Sequence, residues 1–168
     1  MSAAKSRVRP LRTAHGSSCW DQLLIAPLWV AYDVNLGTLL RTCDALGACM
    51  AVPNTPHYRR SLARGDTLAR CPCIHWVGPT QAAWVHAEQA TGATIVAVEL
   101  TEGSVPLARL EPTQRRTIVL LGHESHGIPA EVVESADLCV EIPMRGVGHS
   151  LNVAVAGSLV AYRLAGLG

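Results

Sequence analysis

Short runs of apolar residues alternate along the chain with segments in which apolar positions recur every three or four residues. The runs have the length and composition of buried strands. They lie at Leu23–Ala31, Ala48–Pro53, Ile74–Val77, Thr94–Glu99, Thr117–Leu121 and Leu138–Ile142. The helical patterns cover Gly37–Leu46, Thr80–Ala90, Pro129–Ser135 and a last segment from about Ser150 to Leu164. Strands that alternate with helices predict an α/β domain with a mainly parallel sheet and helices on both faces.

Length and composition predict one folded domain preceded by a basic arm. Residues 1–20 show no hydrophobic period, and we interpret them as a mobile basic arm, with residues 21–168 forming a single domain. Apolar residues make up 49% of the chain and charged residues 16%, a balance that argues against disorder. The apolar runs are shorter than the roughly 18 residues of a membrane helix, and residues 1–12 are too polar for a signal peptide. We therefore expect a cytoplasmic protein.

The net charge is only +1, but the basic residues are clustered. The first acidic residue, Asp21, is preceded by Lys5, Arg7, Arg9 and Arg12. A second basic group consists of Arg59, Arg60, Arg64 and Arg70, and Asp66 is the one acidic residue among them. Local basic patches attract phosphates even when the total charge is nearly neutral. A solvated tail and a solvated loop explain the two clusters equally well, so charge alone leaves nucleic-acid binding open.

The cysteines do not indicate a disulfide framework or a metal site. They are scattered, at positions Cys19, Cys43, Cys49, Cys71, Cys73 and Cys139. The pair Cys71-Pro72-Cys73 has one residue between its thiols, whereas zinc-binding turns usually have two to four. We expect reduced, mostly buried thiols and no metal.

The first segment that carries chemistry runs from Asn35 to Gly47. Its apolar side chains share one helix face, formed by Leu36, Leu39, Leu40, Cys43 and Leu46. Asn35 is predicted to cap the helix, Gly37 permits close approach at its start, and Gly47 is predicted to end it. Arg41 falls off the apolar face. An arginine one turn into a helix can hold a phosphate, although an exposed arginine on an ordinary amphipathic helix is the simpler alternative.

The second segment, Leu120–Pro129, predicts a strand that enters a turn with two glycines. Gly122 would let a ligand lie against the backbone at the strand end, and Pro129 suits the start of a helix. The glycine patterns of phosphate-binding loops are missing here. Glu124 lies between two histidines, but the three residues lack the clear spacing of metal ligands, so we expect no metal here either.

The third segment, Ile142–Ala156, predicts a strand end, a glycine-bearing loop and a helix that begins near Ser150. Ser150 and Asn152 are both common helix caps, and capping alone would explain them.

Taken together and in this order, the three segments resemble the SpoU, or TrmH-like, division of the SPOUT methyltransferases. The motifs of that division have the forms N-x-G-x-x-x-R, a strand leading to G-x-E-x-x-G, and I-P-M followed by S-L-N-V. The stretches GHESHGIP and CVEIPMRGVGHSLNVAVAG are similar to the tRNA ribose methyltransferases of the division. The similarity extends from about Leu23 to Leu164.

The resemblance implies a parallel α/β sheet whose carboxyl-terminal part is threaded through a loop as a trefoil knot. It also implies homodimers whose active site takes residues from both subunits. The implied cofactor is S-adenosylmethionine, and its adenosine should contact Leu100, Gly122, Ile142, Met144 and Leu151.

The implied reaction moves a methyl group to the 2′-oxygen of a ribose in RNA. Arg41 would be its central residue, surrounded by Asn35, Glu124, Ser150 and Asn152. Because a free arginine stays protonated, we favour Arg41 as a clamp on the neighbouring phosphate that stabilises the forming alkoxide, with base function as the alternative. Glu124 would orient Arg41 or help to carry the proton. Ser150 and Asn152 would hold the ribose hydroxyls or support Arg41.

Within this interpretation tRNA is favoured as the substrate over rRNA, on the resemblance of the last two motifs. A catalytically inactive RNA-binding protein with the same fold is a second hypothesis, and the intact site residues argue against it. A nucleotide-binding oxidoreductase is disfavoured because no glycine fingerprint follows the first strand.

Overall fold

The computed structural model describes residues 20–65, 73–148 and 150–168. The predicted basic arm therefore lies outside the described residues, apart from Trp20, which belongs to the first strand. Arg70, Cys71 and Asp66 lie outside them as well.

Seven strands form one sheet, and every pairing between them is parallel. The strands are β1 (Trp20–Ala26), β2 (Ala48–Pro53), β3 (Ile74–Val77), β4 (Thr94–Val98), β5 (Val105–Pro106), β6 (Thr117–Leu120) and β7 (Leu138–Glu141). Their order across the sheet is β3-β2-β1-β6-β4-β7-β5. The helices are α1 (Asp33–Leu46), α2 (Pro56–Gly65), α3 (Gln81–Ala90), α4 (Ala130–Ser135) and α5 (Val153–Leu164). The predicted α/β class with a mainly parallel sheet is confirmed.

The two faces of the sheet are covered by different helices. Because successive strand residues point to opposite faces, Leu23 and Ile25 of β1 enter one core while Leu24 and Ala26 enter the other. The first core contains residues of α1, α2 and α5, and the second contains residues of α3 and α4. Each fully buried leucine or isoleucine contributes roughly 1.5–3 kcal/mol relative to an exposed one. The double burial explains why the strands are continuous apolar runs without a polar alternation.

Three boundaries or elements differ from the sequence-based expectation. The first strand ends at Ala26, five residues before the predicted end, because Pro27 has no N–H to donate to a neighbouring strand. Helix α2 was not predicted, since most of its side chains are polar and exposed and only one narrow face is buried. Tyr58 on that face donates to the carbonyl oxygens of Leu28 and Val30 at 3.2 and 2.8 Å. The two-residue strand β5 was also missed.

Helix α5 packs closely against the sheet at Gly157. A Cβ atom at this position would lie 2.5 Å from Cδ1 of Leu121 and 3.1 Å from Cδ2 of Leu39. Glycine allows the helix to approach α1 and the residue after β6 this closely without displacing the two leucine side chains. Among the described residues, no helix has the length and apolar character needed to cross a membrane.

Candidate active site

The carboxyl ends of β4, β6 and β7 meet at one edge of the sheet, and a cavity of about 990 Å³ opens there. This is the edge at which open α/β sheets usually bind ligands. All five residues predicted to contact a cofactor line the cavity: Leu100, Gly122, Ile142, Met144 and Leu151. Four of the five predicted catalytic residues line it too: Asn35, Glu124, Ser150 and Asn152.

Gly122 occupies a point where the loop after β6 folds back on itself. The N–H of His123 donates to the carbonyl of Gly127 at 2.9 Å, and the N–H of Gly127 donates back at 2.8 Å. A Cβ atom at Gly122 would overlap with the backbone of Gly127 and Ile128. Glycine is therefore required at position 122 because the backbone of the same loop packs against it, whether or not a ligand also contacts it from the cavity.

The Glu124 carboxylate accepts hydrogen bonds from the loop after β1 and from α1. The backbone N–H groups of Ala31 and Tyr32 donate to it at 3.0 and 3.2 Å. Asn35 Nδ2 donates to the same carboxylate at 2.7 Å. Through these contacts the second motif is attached to the first.

Asn35 also connects the first motif to the third. Its Oδ1 accepts a hydrogen bond from Asn152 Nδ2 at 2.9 Å, and only 4% of the residue is exposed. Asn152 Oδ1 accepts in turn from the N–H groups of Ala154 and Val155 at 2.9 and 3.2 Å. Glu124, Asn35 and Asn152 thus form one chain of hydrogen bonds that ends at the N-terminus of α5.

Two predicted helix starts are corrected by this network. Asn35 was predicted to cap α1, but α1 begins at Asp33 with Tyr32 at the N-cap position. The side chain of Asn35 lies in the first turn and is used for the contacts to Glu124 and Asn152. The last helix was predicted to begin near Ser150, but it begins at Val153, and Asn152 caps it. Asn and Ser suit caps and tertiary hydrogen bonds equally well, so the local pattern did not distinguish the two uses.

Two of the three glutamates that line the cavity, Glu124 and Glu99, have pKa values shifted in opposite directions. Partial burial raises the pKa of Glu124, but the hydrogen bonds from Ala31, Asn35 and Tyr32 outweigh it and lower the pKa below its ordinary value. Glu124 is therefore ionised at neutral pH and accepts hydrogen bonds. Burial raises the pKa of Glu99, although the N–H of Ile128 partly offsets the effect. Glu99 lines the cavity but was not among the predicted site residues. The one signal in the sequence that could have found it was its position at the end of a predicted strand.

Arg41 does not line the cavity. It is exposed on α1, as the apolar pattern predicts, about two turns beyond Asn35. One turn before it, Thr38 lies beside α5 and shares a groove with Val155, Leu159 and other residues of that helix. The structure brings the other four predicted catalytic residues together and places Arg41 on the neighbouring surface.

The arrangement of the site can be compared with known proteins. A model of the SpoU rRNA Methylase family matches residues 23–162, which is most of the chain. The chain belongs to the SpoU rRNA Methylase family. The match includes every residue of the hydrogen-bonded network, so this network joins motifs within the family region.

One relative of this SpoU-family chain is the mouse tRNA (guanosine(18)-2′-O)-methyltransferase TARBP1, which is 32% identical over 150 residues. The alignment covers 84% of this chain but only 9% of the mouse protein. A solved structure of the TrmH/SpoU tRNA modifying enzyme from A. aeolicus has a TM-score of 0.71 and 25% identity, and covers 88% of this chain and 75% of that one. An AdoMet-bound rRNA methyltransferase from Sinorhizobium meliloti has a TM-score of 0.71 and 26% identity, and covers 84% of this chain and 55% of that one.

Proposed function

We propose that this chain is an S-adenosylmethionine-dependent RNA methyltransferase that modifies the 2′-hydroxyl of a ribose. The observation that carries the proposal is the hydrogen-bonded chain of Glu124, Asn35 and Asn152 at the wall of the large cavity. A SpoU-family member that only binds RNA would have no need to keep this network at the edge of a cofactor-sized cavity.

The residues present fit the proposed cofactor. A volume of about 990 Å³ suits a ligand the size of a modified nucleoside. Apolar side chains of Leu100, Ile142 and Leu151 offer surfaces to a purine ring. The phosphate-binding glycine patterns are missing, which agrees with a nucleoside that carries no phosphate. Glu99 provides a carboxylate for a polar or cationic group of the ligand.

When bound, S-adenosylmethionine supplies an electrophilic methyl group, which is bonded to its positively charged sulfonium sulfur. The protein would have to align the ribose oxygen with that methyl group and stabilise the negative charge that develops on the oxygen as its proton passes to solvent water. Positioning of this kind can contribute several kcal/mol to the rate. Ser150 offers a hydroxyl at the cavity wall, and Asn152 retains one N–H beyond its bond to Asn35, so both can hold the ribose.

Glu124 acts mainly as a positioning residue in this proposal. Its two oxygens already accept three hydrogen bonds, and its lowered pKa keeps it ionised. It fixes the start of α1 and the amide of Asn35, and through Asn35 it orients Asn152. Arg41 clamps the adjoining RNA phosphate and stabilises the forming alkoxide.

We infer that the enzyme is a homodimer. The apolar stripe consists of Leu151, which directly precedes the cap of α5, and of Val155, Leu159 and Tyr162 on α5, and each of these side chains is 36–46% exposed. The last three line the groove of about 230 Å³ between α5 and Thr38 of α1. A second copy would cover the stripe, and exposed apolar patches of this kind mark interaction sites. Because Arg41 lies beside the groove and outside its own cavity, we propose that each cavity is completed by Arg41 of the partner subunit.

We also propose that the carboxyl-terminal part of the fold forms a trefoil knot, as in the SPOUT resemblance. Two features support it. Strand β7 lies between β4 and β5 although it follows both in the chain. The chain then crosses from β7 to α5, which packs beside α1 in the core on the face opposite α4.

The RNA substrate is proposed to be tRNA. The names of the mouse relative and of the A. aeolicus structure support this choice, whereas the S. meliloti structure keeps rRNA as the alternative. Arg59 of α2 supports RNA binding, since its guanidinium stacks on Trp76 at 4.3 Å and is held by Asn54 Oδ1 at 2.8 Å. These two contacts hold the Arg59 guanidinium in a position where it can bind a phosphate of the RNA.

The proposal is tested by incubating the purified chain with methyl-labelled S-adenosylmethionine and either total tRNA or rRNA. Label should enter tRNA, and Asn152→Ala should lose incorporation. Transfer to neither RNA, with the cofactor bound, would contradict the proposed activity, and transfer to rRNA alone would replace the substrate.

A further inference from the structure

Two cysteines and a histidine meet at the edge of the sheet away from the cavity. Cys49 lies near the start of β2, Cys73 directly precedes β3, and His75 is the second residue of β3. The two sulfur atoms and an imidazole nitrogen all lie within 4.8 Å of one another. Cys73 Sγ is 3.4 Å from Nε2 of His75.

Strand register explains why these side chains meet. Residues two apart on a strand point to the same face, so Cys73 and His75 share a face. The N–H of Met50 donates to the carbonyl of Cys73 at 2.8 Å, and Ala51 is the register partner of His75. Cys49 points to the same face as Ala51, and both belong to the core covered by α3 and α4. Cys43 packs in the other core and is separated from the cluster by the sheet.

We propose that Cys49, Cys73 and His75 bind one zinc ion. Zinc takes thiolate sulfur at about 2.3 Å and imidazole nitrogen at about 2.0–2.1 Å, so tetrahedral ligand atoms lie roughly 3.5–3.8 Å apart. The separation of 3.4 Å between Cys73 Sγ and His75 Nε2 is close to these values, and the other separations, at most 4.8 Å, can reach them through side-chain movements of about 1 Å. Binding releases the two thiol protons, because thiolates are the ligands.

Zinc is preferred here over hard cations because two of the three ligands are sulfur. Among the cysteines, only Cys71 and Cys73 were considered in the sequence analysis as a pair of metal ligands, and no metal was therefore predicted there. The third protein ligand comes from the neighbouring strand, and a Cys-x-His spacing suits a strand, in which alternate residues share a face. The ion would fasten β3, a four-residue edge strand, to β2.

The proposed zinc ion stabilises the fold. The zinc proposal does not depend on the proposed methyl transfer. The zinc site lies at the amino ends of the strands, whereas the cavity lies at their carboxyl ends. Trp76, which stacks with Arg59, follows His75 directly. Loss of the ion should therefore loosen β3 and the position of Arg59 before it affects the cavity.

The test uses the full chain, purified without a metal-affinity tag, and measures bound zinc by elemental mass spectrometry. Wild type should hold about one zinc per chain. His75→Ala and Cys73→Ser, both at part-buried positions, should each bind zinc at least about 10–100-fold more weakly, since loss of even a supporting residue costs that much. Cys139→Ser is the matched control, because Cys139 is a part-buried cysteine of the same core on another strand. The control should keep its zinc.

Cobalt substitution adds a spectroscopic signature. Wild type and Cys139→Ser should show thiolate-to-cobalt charge transfer and the strong visible bands of a tetrahedral site, and His75→Ala should not. Added zinc should raise the midpoint of thermal unfolding of the wild type and leave that of His75→Ala unchanged. The proposal is overturned by full zinc content in His75→Ala and Cys73→Ser, by reduced wild type that binds no zinc, or by a stable Cys49–Cys73 disulfide that persists under mild reduction.

Discussion

Asn152 Nδ2 donates a 2.9 Å hydrogen bond to Asn35 Oδ1 and so connects two residues 117 positions apart in the chain. Asn35 donates in turn to Glu124 at 2.7 Å. Three motifs that are separate in the sequence thereby become one unit, in which the position of each polar group depends on the others.

Asn35→Ala should destabilise the fold and impair the site together. The residue is buried, and its removal leaves Asn152 Nδ2 without its acceptor and takes one of two hydrogen bonds from Oε1 of Glu124, at a cost of about 1–3 kcal/mol in the free energy of unfolding. Urea denaturation measures the loss. Gln114→Ala, an amide on an exposed loop, should stay within about 0.5 kcal/mol of wild type. Equal effects of the two substitutions would mean that the network adds no stability.

Glu124 and Glu99, both at the cavity, should give pH dependences of stability of opposite sign. Because the folded pKa of Glu124 is lowered, its carboxylate adds stability above the unfolded pKa, near 4.5, and this stability is lost as pH falls through the folded value. The stability difference between wild type and Glu124→Gln should therefore narrow below about pH 4.5. It is measured by denaturation across this range, and a difference that stays constant would contradict the assigned hydrogen bonds.

The contribution of Glu99 to stability should depend on pH in the opposite direction to that of Glu124. Burial raises the pKa of Glu99, so the folded protein holds the proton more tightly than the unfolded chain, and the resulting stability is lost as pH rises through the folded value. Glu99→Gln mimics the protonated form and should gain stability relative to wild type as pH rises above about 4.5. The same trend for both glutamine variants would show that the two environments do not differ as described.

The strands were easier to predict than the polar contacts. Ala48–Pro53 and Ile74–Val77 match the observed β2 and β3, and in β2 burial on both faces leaves a continuous apolar run. Nine of the predicted site residues line the cavity, and eight of these belong to the three motifs, whereas Leu100 was expected from the resemblance alone. Asn35 was wrongly predicted to cap α1 because its hydrogen-bond partners lie far along the chain. The cluster around His75 was missed because strand pairing creates it.

Mixing two inactive variants tests whether Arg41 acts across a dimer. Arg41→Ala should lower methyl transfer about 10²–10³-fold while cofactor affinity stays nearly unchanged, and Asn152→Ala should also be inactive. If each cavity uses Arg41 of the partner subunit, half of randomly mixed dimers regain one of two sites, or about a quarter of wild-type activity. Sedimentation should give about twice 17.9 kDa, and Leu159→Glu should give monomers. Dimers that regain no activity on mixing would place Arg41 in its own subunit's site.

Arg41→Lys separates charge from geometry. Lysine keeps the positive charge but loses the planar, two-pronged guanidinium, so it should restore RNA binding more than turnover. Single-turnover rates and RNA affinity measured on the same preparations compare the two effects. Full turnover with lysine would show that charge alone is sufficient.

Arg59 should contribute to RNA affinity but not to the rate of methyl transfer. Arg59→Ala should weaken RNA binding and reduce the slope of log affinity against log salt by about 1, because one phosphate contact is lost. The rate at saturating RNA should not change. Arg109→Ala is the matched control, an exposed arginine near β5 at the opposite edge of the sheet. An equal loss of affinity in both variants would indicate general electrostatic attraction without a defined contact.

The position of the transferred methyl group tests the central claim most directly. Purified chain, S-adenosylmethionine and tRNA are incubated, the RNA is digested to nucleosides, and fragment masses assign the methyl group to the sugar or to the base. We expect a methylated ribose in the wild-type reaction, none with Asn152→Ala, and none when the target nucleotide carries a 2′-deoxyribose. A methyl group on a base, or one that persists on the 2′-deoxy substrate, would contradict the proposed 2′-O-methyl transfer.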